Sequence, residues 1–300
     1  MKALEQELAS RFGARLAANR PLAEFTSFRI GGPADLMMTV NNETELAELL
    51  AICWRYGAPA FCLGSGTNLL VSDRGVRGVV VRLGEAFRRI EIDGLYVRAG
   101  SAAAFGVLVR MAVDCGLAGL EYGEGIPGSV GGALVMNAGA FGGEMARTVM
   151  TAEGMTLQGE KLSLLKNEIN FAYRRGDLPS GFIITAVNFA LARGDRAQLH
   201  ARIAELSAKR AAHQPRGVPN AGSIFKNPPG NFAGRLLENA GLKGTRVRGA
   251  AFSNEHANFI LNVDDARAND VRDLIEMARK RVRESTGIAL EPEVRLVGDW

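Results

Sequence analysis

The sequence predicts an α/β (α+β) protein of 300 residues with more than one hydrophobic core. Short runs rich in β-branched and aromatic residues, such as 60–63 and 183–189, alternate with stretches of helical apolar spacing. Two glycine-rich segments, 64–69 and 125–143, interrupt this alternation. The length allows two or three modest domains. We therefore expect a multi-domain chain in which helices pack on sheets.

Local signals place the elements. An opening helix is expected over about residues 4–18, and a second over about 42–56 with Asn42 as its cap. Asp93-Gly94 predicts a hairpin, and Gly116 the end of a helix that begins at Phe105. The last third predicts an alternation of helices and strands at 232–239, 259–263, 269–284 and 294–297.

Composition is that of an ordinary soluble globular protein, with 47% apolar and 23% charged residues. The N-terminus lacks a signal-peptide core, and no later run reaches membrane-spanning length. Cys53, Cys62 and Cys115 form no CxxC pair, which argues against a disulfide framework and a cysteine metal site. We expect a cytoplasmic protein with no metal and no membrane insertion.

Charge is unevenly distributed along the chain. The net charge is +4, yet residues 201–248 alone carry nine basic residues against Glu205 and Glu238. A local basic field favours an anionic ligand. Nucleic acid is the less favoured alternative, because glycines space the region and it lacks a basic helix or interleaved aromatic residues.

Segment 125–143 contains seven glycines in nineteen residues and almost no charge. A flexible linker of this density would be polar, and a membrane helix would not tolerate so much glycine. Glycine is required where a backbone turns sharply or approaches another group closely. The segment therefore predicts a large cofactor that is bound mainly by main chain.

Segment 64–69 (GSGTNL) follows a predicted strand. It is neither the GxGxxG dinucleotide fingerprint, since position 69 is leucine, nor a P-loop. Its N–H groups and polar side chains could form an anion nest, or it could be a plain tight turn. The nearby presence of segment 125–143 in the same sequence favours the phosphate-binding interpretation.

Six motifs occur in an order that resembles one enzyme family. They are 28–34 (FRIGGPA), 63–70 (LGSGTNLL), 125–132 (GIPGSVGG), 171–174 (FAYR), 221–228 (AGSIFKNP) and 291–295 (EPEVR). Each is weak alone, but the ordered set is specific. The chain is identified by it as a member of the UDP-N-acetylenolpyruvoylglucosamine reductase (MurB) family over about residues 20–298. The short span from Arg174 to Ser223 resembles the shorter, type II-like subtype.

The resemblance implies a flavoenzyme of bacterial peptidoglycan synthesis. It implies an FAD-binding fold of the vanillyl-alcohol-oxidase (PCMH) type with two subdomains, at 1–85 and 86–195, and a C-terminal α/β substrate-binding domain at 196–300. NADPH would reduce FAD, and hydride from reduced FAD with a proton from a serine would convert UDP-N-acetylglucosamine enolpyruvate to UDP-N-acetylmuramate. FAD would be non-covalent, since neither glycine-rich segment contains His or Cys.

The resemblance also implies roles for individual residues. The catalytic arginine, serine and glutamate fall on Arg174, Ser223 and Glu293. Substrate contacts fall on Lys226 and Asn227, and a glutamine of some members falls on His256. FAD contacts are expected at Gly64, Ser65, Gly66, Thr67, Asn68, Leu69, Gly125, Ile126, Pro127, Gly128, Ser129, Gly131, Gly132, Asn137 and Gly139. Because Glu293 would repel a substrate carboxylate, we expect it close to Arg174 or Lys226.

Alternatives and departures accompany these assignments. Ser223 could be a turn residue, Arg174 a surface charge and Glu293 the exposed face of a strand. Another FAD oxidase of the same fold and a non-redox nucleotide-sugar module are the rival functions. Gly176 stands where members commonly have serine, and Gly123-Glu124 replaces a more apolar pair.

Overall fold

The computed structural model describes residues 1–300. The α-helices are α1 (Lys2–Phe12), α2 (Glu43–Arg55), α3 (Phe105–Asp114), α4 (Val130–Val135), α5 (Arg196–Ala211), α6 (Ala233–Asn239) and α7 (Ala268–Thr286).

The strands, in chain order, are β1 (Leu16–Pro21), β2 (Pro33–Val40), β3 (Ala60–Cys62), β4 (Leu69–Val71), β5 (Val76–Leu83), β6 (Ile90–Asp93), β7 (Tyr96–Gly100), β8 (Leu117–Ala118), β9 (Gly139–Ala140), β10 (Gly143–Glu144), β11 (Val149–Met155), β12 (Lys161–Leu165), β13 (Asn170–Ala172), β14 (Arg175–Asp177), β15 (Ile183–Ala190), β16 (Ala192–Arg193), β17 (Asn220–Ser223), β18 (Arg246–Val247), β19 (Ala250–Phe252), β20 (Phe259–Asn262) and β21 (Arg295–Val297).

The chain divides into two compact units, each built from three stretches of sequence. The first unit comprises Met1–Ala18, Leu36–Ser65 and Gly78–Arg210. The second unit comprises Asn19–Asp35, Gly66–Arg77 and Ala211–Trp300.

Two sheets organise the first unit. A four-stranded sheet of order β1-β2-β5-β3 receives the apolar faces of α1 and α2, and its core includes Leu8, Met38, Leu49 and Val79. A five-stranded antiparallel sheet of order β12-β11-β15-β7-β6 packs with α3 and α4 around a second core. Each sheet therefore has its own hydrophobic core.

The second unit contains an antiparallel sheet of order β17-β20-β19-β18 and a parallel pair of β21 with β4. Helix α7 packs on the sheet through Val271, Leu274, Ile275, Ala278 and Val282, whose spacing places them on one helical face. This helix ends at Gly287, which adopts a left-handed φ of 74°.

The predicted α/β (α+β) class is confirmed, and one predicted element is wrong in extent. The opening helix ends at Phe12 instead of reaching residue 18, because Gly13 has a φ of 59° that an α-helix cannot contain. The chain then forms β1. Asn42 does cap α2, accepting a hydrogen bond from the Glu45 N–H at 2.9 Å.

The division at residues 85 and 195 stays a prediction. Three hydrophobic cores are present, yet α5 belongs to the first unit up to Arg210, because Ile203 packs against the core of the five-stranded sheet. A Cβ on Gly194 would lie 3.0 Å from Leu199 of the same helix. In the compact first unit the chain continues to Arg210, near the end of α5.

The N-terminus of α7 is satisfied from outside the helix. The Asp73 carboxylate accepts hydrogen bonds from the N–H groups of Ala268 at 2.8 Å and Asn269 at 3.2 Å. These two donors have no partner within the helix. We expect Asp73→Ala to lower the free energy of unfolding by about 0.5–2 kcal/mol, as the loss of a helix cap does. Urea denaturation measures the change. Asp273→Ala, an exposed site on α7, should change stability by less than about 0.5 kcal/mol; equal effects of the two would contradict the capping role.

Candidate active site

The two glycine-rich segments meet in the first unit at Ser129. A Cβ on Gly64 would stand 2.8 Å from the Ser129 Oγ, so only glycine allows this approach. The same Oγ accepts a hydrogen bond from the Gly132 N–H at 3.3 Å and caps α4. Segments 64–65 and 125–132 therefore form one continuous backbone surface.

Close packing holds segment 125–132 in place from behind. A Cβ on Gly131 would lie 2.9 Å from Ser101 Cβ, and the Gly131 N–H donates to the Ser101 carbonyl at 2.9 Å. On the other side Gly64, Gly125 and Gly132 are exposed, although the segment is apolar. An exposed, uncharged backbone face of this kind suits a large planar and phosphorylated cofactor, and no His or Cys is present to bond it covalently.

Asn137 lies behind this surface and not on it. Its side chain is buried, donating to the Ala172 carbonyl at 3.0 Å and accepting from the Ala146 N–H at 3.0 Å. It thereby joins segment 125–139 to β13. Its observed contacts are structural, and the predicted FAD contact remains a prediction.

Arg174 lies against the end of the same segment. It occupies the two-residue turn between β13 and β14 with a φ of 56°, a conformation that side chains rarely adopt. Its Nη1 donates to the Gly139 carbonyl at 2.6 Å, and its guanidinium lies 5.3 Å from the centre of the Tyr173 ring. Strain of this kind is common at functional positions.

In the second unit, residues 66–69 support Glu293. Gly66 has a φ of 63°, and a Cβ there would collide with the Phe25 carbonyl. The Asn68 side chain donates to the Glu293 carbonyl at 3.0 Å, and the Glu293 N–H donates to the Ile224 carbonyl at 2.7 Å. The residue before Ile224 is Ser223. The main chain of Glu293 thus lies beside that of the residue that follows Ser223.

Ser223 is fixed by its surroundings. It ends β17 opposite Phe259, directly after Gly222 with its φ of 74°. The buried Asn258 side chain then clamps the next turn, accepting from the Phe225 N–H at 2.9 Å and donating to the Phe225 carbonyl at 2.8 Å. Gly222 and Asn258 therefore set the position of the half-buried Ser223.

The expected substrate residues Lys226 and Asn227 follow Ser223 in the chain. The Lys226 ammonium pairs with the Glu291 carboxylate, two residues before Glu293. The Asn227 Oδ1 accepts from the Ala233 N–H at 2.9 Å and so holds the start of α6. Lys226 is thus paired with a neighbour of the glutamate that sequence reasoning expected near it.

His256 is a half-buried side chain. Its Nδ1 accepts from the Asn258 N–H at 3.1 Å, and its ring meets that of Phe259 edge-on at 5.0 Å. Burial lowers its pKa below 6.5. It therefore favours the neutral form at physiological pH.

The glycines in the two departures noted in the sequence have steric causes. A Cβ on Gly176 would lie 2.6 Å from the Leu134 carbonyl, which leaves no room for serine. A Cβ on Gly123 would lie 2.6 Å from the Phe105 ring. Both glycines thus permit close packing behind the cofactor segment.

Two residues near the site were missed in the sequence. Asn258 gave no signal, because its clamp depends on a strand distant in sequence. Arg210 was counted only in the basic excess, yet its Nε donates to the Glu124 carbonyl at 3.2 Å beside Gly125.

None of the helices combines the length and the apolar composition that a membrane span requires. No group of three or more His, Cys, Asp or Glu side chains is arranged to hold a metal ion.

Comparison with known proteins identifies the family. Residues 214–297 match the C-terminal domain of UDP-N-acetylenolpyruvoylglucosamine reductase, and residues 34–164 match an FAD binding domain. UDP-N-acetylenolpyruvoylglucosamine reductase 2 of Symbiobacterium thermophilum is 46% identical over 285 residues, 95% of this chain and 92% of that protein. The chain belongs to the UDP-N-acetylenolpyruvoylglucosamine reductase family.

Further relatives agree with this family. The reductase of Heliobacterium modesticaldum is 42% identical over 295 residues, 98% of this chain and 94% of that protein. The crystal structure of the UDP-N-acetylenolpyruvylglucosamine reductase from Thermus caldophilus superimposes with a TM-score of 0.81 at 38% identity, covering 94% of this chain and 98% of that one. The predicted fold class is confirmed, and the chain is an FAD-dependent oxidoreductase.

The lowered pKa of His256 should make stability depend on pH. Below about pH 6.5 the unfolded chain binds a proton at this residue that the folded chain does not. The free energy of unfolding should therefore fall as the pH drops from 6.5 toward the lowered pKa of the folded state. His256→Gln removes the titrating group and should reduce the loss of stability between pH 7.5 and 5.5. Urea denaturation at both pH values measures it; identical losses in both proteins would contradict a depressed pKa.

Proposed function

We propose that this chain reduces UDP-N-acetylglucosamine enolpyruvate to UDP-N-acetylmuramate with FAD and NADPH, in the cytoplasmic stage of peptidoglycan synthesis. The observation that carries the proposal is the exposed glycine backbone around Ser129, with Arg174 fixed against the end of the same segment. The names of the relatives supply the substrate class.

The first unit has the features that FAD binding requires. Gly64, Gly125 and Gly132 expose backbone without side chains, and Ser129 joins the two segments. Residues 64–65 and 125–132 would hold the cofactor through N–H groups and small polar side chains. Bound FAD supplies the two-electron transfer from NADPH to the enol ether, which no side chain can perform.

Arg174 would bind the carboxylate of the enolpyruvyl group. Its planar guanidinium can hold two carboxylate oxygens at once and stabilise the negative charge that develops on that group during reduction. The hydrogen bond to the Gly139 carbonyl and the stacking on Tyr173 fix its direction. Preorganisation of this kind lowers the cost of positioning the substrate.

Ser223 would donate the proton to the carbon that carries the carboxylate. The residue is half-buried, and its main chain is positioned by Gly222 on one side and by the Asn258 clamp on Phe225 on the other. A serine is a weak acid, and general acid catalysis needs an environment that favours the alkoxide. Nearby main-chain N–H groups and Lys226 are the candidates for this role.

Glu293 would act close to Ser223, because its N–H donates to the carbonyl of Ile224, the residue that follows Ser223. We assign it to the protonation half of the reaction, as an acid or as an electrostatic partner. Lys226, Asn227 and His256 would contact the diphosphate and sugar. The basic excess of residues 201–248 supports a substrate with a diphosphate.

The purified protein should contain one flavin per chain and oxidise NADPH beyond one equivalent per flavin only when the enolpyruvyl substrate is present. Because no His or Cys lies in the glycine-rich segments, acid precipitation should release all flavin into the supernatant. Absorbance near the flavin band and NADPH consumption measure both properties. A colourless protein would favour a non-redox nucleotide-sugar module, and flavin retained in the pellet would favour a covalent oxidase.

Ser223→Ala should leave flavin reduction by NADPH unchanged but slow flavin reoxidation by the substrate by about 10²-fold or more, since only the second step needs the proton. Stopped-flow absorbance resolves the two half-reactions. Ser285→Ala, an exposed position on α7, is the control and should behave as the unmodified enzyme. Wild-type rates in both half-reactions of Ser223→Ala would reduce Ser223 to a turn residue.

A further inference from the structure

Arg210, the last residue of the first unit, lies directly on the cofactor segment. Its Nε donates to the Glu124 carbonyl at 3.2 Å, and its Cδ is 2.9 Å from where a Cβ on Gly125 would stand. Its guanidinium lies 5.5 Å from the centre of the Phe141 ring. Because Gly125 has a φ of 72° and no side chain, the arginine can pack flat on the backbone.

The guanidinium has an unused donor. Its Nη2 is buried and has no hydrogen-bond partner. Six of the nine basic residues at 201–248 pair with carboxylates, namely Arg202, Lys209, Lys226, Lys243, Arg246 and Arg248. Arg210 forms no ion pair. A buried donor of a charged group is costly unless it is satisfied, so an acceptor is expected when the protein acts.

Arg174 and Arg210 both contact the hairpin that β9 and β10 form. Arg174 donates to the Gly139 carbonyl of β9, and Arg210 stacks on Phe141 in the turn that follows β9. Phe141 has a φ of 51° and is exposed. Both arginines therefore contact the β9–β10 hairpin, Arg174 at the start of β9 and Arg210 at the turn.

The positive charges around this hairpin favour the binding of an anion. Burial and then the positive charge of Arg174 lower the pKa of Arg210, whereas Glu124 raises it. The Glu124 carboxylate is buried; its Oε1 accepts from Arg110 at 3.2 Å, and its Oε2 has no hydrogen-bond partner. The positive charges of Arg174 and Arg210 repel each other, and a carboxylate bound by both would offset that repulsion.

We propose that Arg210 is a second carboxylate-binding residue, which together with Arg174 holds the carboxylate of the enolpyruvyl group against the β9–β10 hairpin. This inference rests on the proposed function. Of the anions that the reaction brings to this face, the carboxylate is the one already assigned to Arg174, and its two oxygens can serve both arginines. The FAD diphosphate is the competing anion.

The test is the binding of two ligands to Arg210→Gln and Arg210→Lys. Binding to the oxidised enzyme is followed by the change in flavin absorbance, with UDP-N-acetylglucosamine enolpyruvate and with UDP-N-acetylglucosamine, which lacks the carboxylate. We expect Arg210→Gln to bind the enolpyruvyl compound about tenfold to hundredfold more weakly, the usual effect of losing one charge-assisted hydrogen bond. Its affinity for UDP-N-acetylglucosamine and its reduction by NADPH should change less than about twofold. Arg210→Lys should recover part of the loss.

Arg202→Gln is the matched control, because Arg202 lies on the same helix, is exposed and pairs with Glu205. It should bind both ligands as the unmodified protein does. Equal weakening for both ligands in Arg210→Gln, or no weakening, would overturn the proposal. A fall in affinity of the apoprotein for FAD would overturn it in favour of the cofactor diphosphate. If Arg210→Gln does not fold, Arg210→Lys with unaltered discrimination between the ligands overturns it equally. An unmodified enzyme that contains FAD but does not consume the enolpyruvyl compound would instead refute the proposed function.

Discussion

The missing Cβ at Gly64 is the constraint on which the cofactor face of the first unit depends. Any side chain there would press on the Ser129 Oγ, which also caps α4. The residues on either side of Ser129 are hydrogen-bonded to the start of α3 and the residues before it. The Val130 N–H donates to the Ala103 carbonyl, and the Gly128 carbonyl accepts from the Phe105 N–H. Packing from behind and absence of side chains in front turn two loops into one rigid backbone surface.

In the second unit the structure positions two polar residues, Ser223 and Glu293, through their main chains. Ser223 and Glu293 are far apart in sequence, but both are fixed through the main chain of Ile224 and its neighbours. Asn258 and Asn68 supply amide groups that pair with backbone on both sides of this point. Amide side chains are well suited to fix position, since an amide can donate and accept at once, as the buried Asn258 does.

Positive φ angles occur at two hairpin positions whose side chains make cation–π contacts. Arg174 and Phe141 each lie at a hairpin tip with φ above 50°. Both take part in a cation–π contact, Arg174 with Tyr173 and Phe141 with Arg210. Such conformations cost of order 1–3 kcal/mol and persist only where the surroundings enforce them. Here two short hairpins enforce them with few residues.

The sequence by itself determined the fold class, most helices and the composition of the glycine-rich segments, because these follow from local periodicity, capping residues and the steric freedom of glycine. It also carried the motifs on which the family resemblance rests. It misjudged the opening helix, since the left-handed Gly13 and the pairing of β1 with β2 override the helical pattern. Only the tertiary structure decided that Gly64 meets Ser129, that Asn258 clamps Phe225 and that Arg210 lies on Gly125. These contacts join residues distant along the chain, and their geometry is set by packing between elements, which no local pattern encodes.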